Sequence, residues 1–304
     1  MFTGDQGLSR KNRRTGMISR RIQKLMMLSV LLVFCCMART QTAVADEQNK
    51  EAQLPAFSGK KTDWHGYDCY NFKCDDRSCL VVVPRTPAKG NPWIWRTMFF
   101  GHEPQGDIAL LSNGWHVAFM DIGNTFGNPW SLERCDSFYK LLTEKHGLAK
   151  KTVLEGFSRG GLTAYNWTAK HPDSVLAIYG DAPVCDFKSW PGGKGKGTGS
   201  AGDWKECLKC YSMTEEQALA YKGNPIDNLE PIAKEKIPIL HVVGAVDKVV
   251  PVAENTDIIE KRYKELGGTI KVISKPNCDH HPHSLKDPAP IVEFILEAWK
   301  TGSK

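Results

Sequence analysis

Ser158 stands between two glycines, in Gly156-Phe157-Ser158-Arg159-Gly160, and Gly161 follows at once. The preceding run, Thr152-Val153-Leu154, is β-branched and apolar and predicts a strand, while Leu162 to His171 predicts a helix. A serine at so sharp a strand-to-helix turn sits in a strained backbone conformation. Glycines on either side of it spare collisions with the neighbouring strand and helix. A serine hydroxyl is a weak nucleophile at neutral pH. It needs an imidazole to take its proton and a carboxylate to orient that ring and offset its charge. The chemistry this implies is acyl transfer, with the negative charge of the intermediate met by N–H groups opening the following helix.

The partners must come from loops at the carboxyl ends of neighbouring strands. Asp247 ends Gly244-Ala245-Val246-Asp247, after the apolar run Ile237 to Val243. The segment Asp279-His280-His281-Pro282-His283 follows the run Ile270 to Ser274. The chain order is then serine, acid, histidine, with His280, His281 and His283 as alternatives for the base. Asp181, after the run Val175 to Tyr179, is a rival acid, although Asp181 and Asp186 also suit shaping a pocket or capping a turn. Glu155, on the strand before the serine, reads as a partner of Arg96 or Arg159 in a structural ion pair. Adjacent histidines on a proline-containing loop do not offer the i, i+4 face of a helical zinc pair, so neither a metal site nor a cofactor is expected. Cys207-Leu208-Lys209-Cys210 lacks a second such pair, and is not read as a redox or zinc motif.

The elements that must position these residues alternate. Strands are expected at Pro92 to Phe100, His116 to Ile122, the short run from Thr152 into Gly156, Val175 to Tyr179, Ile237 to Val243 and Ile270 to Ser274. Helices fall between them, including Gln105 to Leu111, Ser131 to His146 and Ala289 to Trp299. Tyr70 to Cys74 and Ser78 to Pro84 flank Asp75-Asp76-Arg77 as a hairpin. The fold class is therefore α/β: a mostly parallel sheet with helices on both faces, an antiparallel hairpin at its start, and a lid-like insertion over 185–231. That insertion carries the tract Trp190-Pro191-Gly192-Gly193-Lys194-Gly195-Lys196-Gly197.

Residues 1–45 hold a basic stretch, the apolar run Leu25 to Met37 and a small-residue site at Ala43-Val44-Ala45, the pattern of a secretory signal, with 46–62 a flexible lead-in. The formal charge of +6 belongs to that leader. Removing its eight basic residues and one acidic residue from totals of 40 and 34 leaves 32 against 33. A nucleic-acid partner finds no support in that balance, and stable membrane insertion after cleavage is not expected. The remaining eight cysteines, in an exported chain, predict disulfides whose pairing the sequence does not choose. Secretion or a periplasmic location follows from the same signal.

From about Asp63 onward the chain resembles the α/β-hydrolase superfamily. More narrowly it is similar to secreted bacterial hydrolases that share Pro92-Trp93-Ile94-Trp95-Arg96, the Gly156 to Gly161 turn and the run His280 to Leu285. The resemblance implies Ser158 as nucleophile, Asp247 as acid and His280, first in its loop, as base. It also implies the backbone N–H of Arg159 as one oxyanion donor and the loop around Phe100, Gly101 and His102 as the other. Trp95 and Trp190 suit stacking against a sugar or an aromatic acid, and Arg96 and Arg159 suit clamping a carboxylate. The expected activity is carboxylic-ester hydrolysis on a small-molecule or acylated carbohydrate substrate. A prolyl-oligopeptidase-like peptidase and a non-catalytic binding protein are the alternatives, and no triad position is substituted in favour of the latter.

Overall fold

The computed structural model describes residues 57–302. Its strands are β1 (Lys60–Trp64), β2 (Tyr67–Cys74), β3 (Arg77–Val83), β4 (Trp93–Arg96), β5 (His116–Met120), β6 (Thr152–Phe157), β7 (Val175–Asp181), β8 (Ile239–Gly244) and β9 (Ile270–Lys275). They form one sheet in the order β1-β2-β3-β5-β4-β6-β7-β8-β9. Strands β1 to β3 pair antiparallel, as does β3 with β5, and every pair from β5 to β9 is parallel. The helices are α1 (Gln105–Ser112), α2 (Pro129–Lys140), α3 (Gly160–Lys170), α4 (Ala201–Tyr211), α5 (Glu215–Ala220), α6 (Glu230–Lys234), α7 (Thr256–Glu265) and α8 (Ala289–Gly302).

Alternation along the central strands decides what each face carries. On β4, Ile94 joins the core that holds Leu110 and Leu111 of α1 and Ile291 and Ile295 of α8. Trp93 and Trp95 point to the other face, where Trp95 meets Phe138 of α2 and Trp167 of α3 at ring distances of 5.3 and 5.1 Å. On β6 the same rule sets Val153 and Phe157 against the α1 and α8 core. Gly156 turns instead to α3, where an added Cβ would lie 2.9 Å from the Cα of Gly161 and 3.1 Å from the Cβ of Ala164. Helix and strand therefore approach at glycine contact distance. All residues of β6, β7 and β8 are buried, as expected of parallel strands covered on both faces.

The order β5-β4-β6 makes the chain cross from one side of β4 to the other between β5 and β6. The carboxyl ends of β4 and β6 thus flank the point where the winding reverses, the place where open α/β sheets hold ligands. Ser158 follows the last residue of β6 there.

Several boundaries differ from the sequence reading. The expected strand Pro92 to Phe100 stops at Arg96, because beyond it the chain turns with φ of +55° at Phe99 and +84° at Gly101. Helix α2 gives way at Leu141–Lys145 to a wider π-type turn. Helix α4, in the insertion, has no counterpart in the prediction; its strong cue is Ser200, whose side chain caps the Asp203 N–H. The flexible lead-in assigned to 46–62 is corrected at its end. Phe57 is buried against His146, with rings 4.4 Å apart, and Lys60 to Thr62 pair as β1. The secretory signal and residues 46–56 lie outside the described residues. Among the described residues no helix is long and apolar enough to cross a membrane.

The expected disulfides are not formed: Cys69, Cys74, Cys79, Cys135, Cys185, Cys207, Cys210 and Cys278 are free. Register and helix geometry give the reason for the close-set cysteines. Cys69 faces Val82, Cys79 faces Phe72 and Cys74 faces Arg77, so no two cysteines of the hairpin are opposite. Cys207 and Cys210 share one helix. Burial pushes the Cys79 and Cys207 thiols up to about 12, which keeps them as thiols.

Candidate active site

Ser158 has φ of +48°, a left-handed conformation that costs a non-glycine residue roughly 1–3 kcal/mol. Its backbone is held on both sides. The Ser158 N–H donates to the carbonyl of Asp181 at 2.9 Å, and its own carbonyl accepts from the Val184 N–H at 2.9 Å. The flanking glycines are needed for this approach. A Cβ on Gly160 would lie 2.9 Å from both the Cβ of Met98 and the Oγ1 of Thr97, and one on Gly161 would lie 2.7 Å from the Val184 carbonyl.

The Oγ of Ser158 lies 3.0 Å from Nε2 of His280, and Nδ1 of that ring lies 2.8 Å from Oδ2 of Asp247. An Asp carboxylate only accepts, so Nδ1 carries the proton and Nε2 presents its lone pair to the serine. Asp247 is fixed in turn, its Oδ1 accepting from the N–H groups of Val249 and Val250 at 2.9 and 2.8 Å. All three side chains are largely buried. The structure brings together the serine, acid and first histidine of the sequence reading.

Two loops deliver acid and base, and they are joined. The Val246 N–H donates to the Cys278 carbonyl at 3.0 Å. Asp279 Oδ1 accepts from Lys248 N–H at 2.9 Å and His280 N–H at 2.8 Å. These two N–H groups hold the Asp279 carboxyl below its usual range. Gly244 lets the loops cross, since a Cβ there would lie 2.1 Å from the Asp279 carbonyl.

No family model and no curated protein matches the chain. Solved structures do. A puromycin-hydrolysing peptidase of Mycobacterium tuberculosis superposes with a TM-score of 0.59 at 13% identity, over 75% of this chain and 38% of that one. An acylaminoacyl peptidase of Pyrococcus horikoshii gives 0.56 at 12% identity, over 83% and 42%. The fold is that of the α/β hydrolases. The chain spans about two fifths of the length of those structures.

Within this α/β-hydrolase frame two expectations are corrected. Trp95 is packed among Trp93, Phe138 and Trp167 and is 2% exposed, so it meets no substrate. Arg96 is fully buried; its Nη1 lies 2.6 Å from Asp107 and 3.6 Å from Glu155, and its guanidinium lies 4.1 Å from the centre of the Phe157 ring. It also donates to the carbonyl of His102, which pins the loop after β4. In that loop Phe100 packs between Trp64 and Phe119, with ring distances of 5.1 and 5.6 Å, and the position of Gly101 faces the Trp64 ring nitrogen. The backbone against the elbow is Thr97–Met98, with Thr97 Oγ1 donating to the Gly160 carbonyl at 2.9 Å.

Arg159 and Trp190 do lie beside the elbow. The Arg159 guanidinium sits between the rings of Phe99 and Trp190, 5.2 and 5.3 Å from their centres, while Nη1 reaches Asn124 at 2.9 Å and Asp203 at 3.3 Å. Trp190, Trp204, Phe187 and Cys207 of the insertion form a small core with Leu162 of α3 and Val250 of the acid loop. The insertion is thereby seated on the two elements that carry serine and acid.

Asp181 is no second acid for His280. Its Oδ1 accepts from His283 Nδ1 at 2.8 Å, and its Oδ2 from Tyr179 hydroxyl at 2.6 Å and Ser284 N–H at 2.8 Å. Glu155 is paired with Arg96 rather than Arg159. Burial and the adjacent Asp107 carboxylate push its carboxyl well above the usual range, and the Arg96 guanidinium lies between the two acids. His102, which the sequence placed only in the loop offered for the oxyanion, stands with its ring 5.9 Å from that of His281 and 5.6 Å from that of His283. No local spacing advertises that grouping, because His102 belongs to a different loop.

Proposed function

We propose that the protein is a serine hydrolase acting through an acyl-enzyme, with a carboxylic ester as substrate. The single observation that carries this reading is the continuous chain Ser158 Oγ to His280 Nε2 at 3.0 Å and His280 Nδ1 to Asp247 Oδ2 at 2.8 Å, on a left-handed serine. In this mechanism His280 takes the Ser158 proton as Oγ attacks the acyl carbon, then gives it to the leaving oxygen. A water attacks the acyl-enzyme by the same route in reverse. Asp247 holds the ring in the required tautomer and stabilises it when charged. The Arg159 N–H, at the head of α3, receives the oxyanion. The loop after β4, whose Met98 backbone lies against the elbow, supplies the second donor.

Arg159 and Trp190 form the wall next to the serine and favour an acyl or alcohol part that is flat and carries negative charge. An acylated carbohydrate fits in a different way, its sugar ring stacking on the Trp190 face. The signal-like segment at residues 1–45 supports action outside the cytoplasm.

Amide hydrolysis is the second reading, favoured by the peptidase names of the structures that share the fold. A panel of p-nitrophenyl esters set against aminoacyl-p-nitroanilides decides between them. Turnover of anilides at rates comparable with esters would replace the esterase reading. Absence of labelling by a fluorophosphonate probe would remove both.

A further inference from the structure

Beyond the serine, a second constellation lies at the same rim. One ring nitrogen from each of His102, His281 and His283 falls within 4.8 Å of the others. The three rings meet edge to face, with interplanar angles of 88°, 85° and 81°. His102 and His281 are exposed, while His283 is buried. His280 does not belong to the group, because both its ring nitrogens are engaged by Ser158 and Asp247.

We propose that His102, His281 and His283 form a three-histidine site for a divalent first-row cation of the zinc class. The argument begins at His283. Its Nδ1 donates to the Asp181 carboxylate at 2.8 Å, which fixes the ring and leaves Nε2 with its lone pair outward. A histidine oriented by a carboxylate through its far nitrogen is the arrangement that metal-ligating histidines use, and the carboxylate makes the ring a better donor. Asp181 is itself held by Tyr179 and by the Ser284 N–H, so the orientation is set before any ion arrives.

The distances fit a site that closes around its ion. Zinc–nitrogen bonds of about 2.0–2.1 Å at tetrahedral angles require donor nitrogens about 3.3 Å apart. The spacing of up to 4.8 Å leaves an adjustment of roughly an ångström or more. His102 and His281 can make it, being exposed on loops, while His283 stays fixed. Their backbones are not adrift: the His102 carbonyl is held by buried Arg96, and the Pro282 carbonyl accepts from Lys275 Nζ at 2.5 Å. Three imidazoles without a thiolate or carboxylate in direct reach select borderline cations over calcium or magnesium. A fourth position is left for water or an acyl oxygen.

The site is a neighbour of the catalytic base, whose ring lies 5.0 Å from that of His281 and 4.8 Å from that of His283. A dication there opposes the positive charge that His280 takes up on accepting the serine proton. Loading therefore slows turnover and chelation restores it. That consequence rests on the serine-hydrolase reading, whereas the site itself does not.

Equilibrium dialysis of the chelator-treated full chain against zinc decides the question, with cobalt absorption as a second reading of coordination. One equivalent should bind with a dissociation constant near or below about 1 µM. His102→Gln and His281→Gln, both at exposed positions, should each weaken binding by at least about 10–100-fold, and cobalt should give the intense visible bands of four-coordination in the parent chain alone. Ser158→Ala should bind as the parent does, which separates this site from the hydrolase proposal. Equal binding by the parent and the two histidine variants, or none by the parent at about 100 µM zinc, overturns the site.

Discussion

At the scale of single residues, each member of the proposed triad has a distinct task and a distinct test. Ser158→Ala removes the nucleophile while leaving the ring and acid in place. It should abolish fluorophosphonate labelling and cut ester turnover by about 10³-fold or more, with unchanged thermal unfolding. Asp247→Asn keeps the shape, but replaces an acceptor that dictates the tautomer of His280. Turnover should fall by about 10³–10⁴-fold with little change in KM, as read by steady-state kinetics; a loss of less than tenfold would reassign the acid. These residues were legible in the sequence because a nucleophile, its base and its acid are recognisable by type and order. Arg96 was legible only in part. It was offered both as a clamp for substrate and as an ion-pair partner of Glu155, and the two-residue alternation of β4, which turns it towards Asp107 of α1, leaves only the internal role. Replacing it with Met leaves the acids at 107 and 155 buried without a cation, and should cost about 3–5 kcal/mol in urea unfolding. Glu155→Gln, which removes a carboxylate that burial already disfavours and keeps its shape, should cost less than the Arg96 change, about 1 kcal/mol by the same unfolding measurement.

At the scale of elements, the turn between β6 and α3 was readable because glycine spacing reports how closely backbones approach. Gly160→Ala brings a methyl to 2.9 Å from Met98 and Thr97, and must push the first turn of α3 away from the end of β4. The expected cost is about 1–3 kcal/mol, with a drop in kcat larger than that in stability, because the same displacement moves the Arg159 N–H. Unfolding and kinetics on one preparation separate the two effects. The strands β6, β7 and β8 announced themselves as apolar runs of the right length. The loop after β4 did not, since its path depends on left-handed turns at Phe99 and Gly101 and on the distant Arg96. Helix α4 follows directly on a tract whose glycines and lysines read as loop; its burial against Phe187 and Trp190 is a tertiary effect. The cysteines misled for a related reason. Their number fitted a disulfide framework, but pairing depends on register, and β2 and β3 offset them.

At the scale of the whole molecule, the sheet buries imidazoles that take no part in the proposed chemistry. Burial pushes His116 down to about 4 and His241 down to about 3. In the unfolded chain both return to about 6.5, so the unfolded state binds more protons as the pH drops. Stability is complete above that value and is lost as the pH falls from about 6.5 towards 4, by on the order of 3 kcal/mol for His116. His116→Phe, which keeps an aromatic ring where Nε2 has no partner, should flatten the decline in urea midpoint between pH 7 and 5. An identical decline in both proteins would assign the effect to other groups. One feature of β7 bears on the working of the whole assembly. Residue 181 grips the nucleophile through its carbonyl and the histidine loop through its carboxylate. The serine turn and the histidine loop are thus both moored to one residue of β7, so a change at position 181 disturbs the two together.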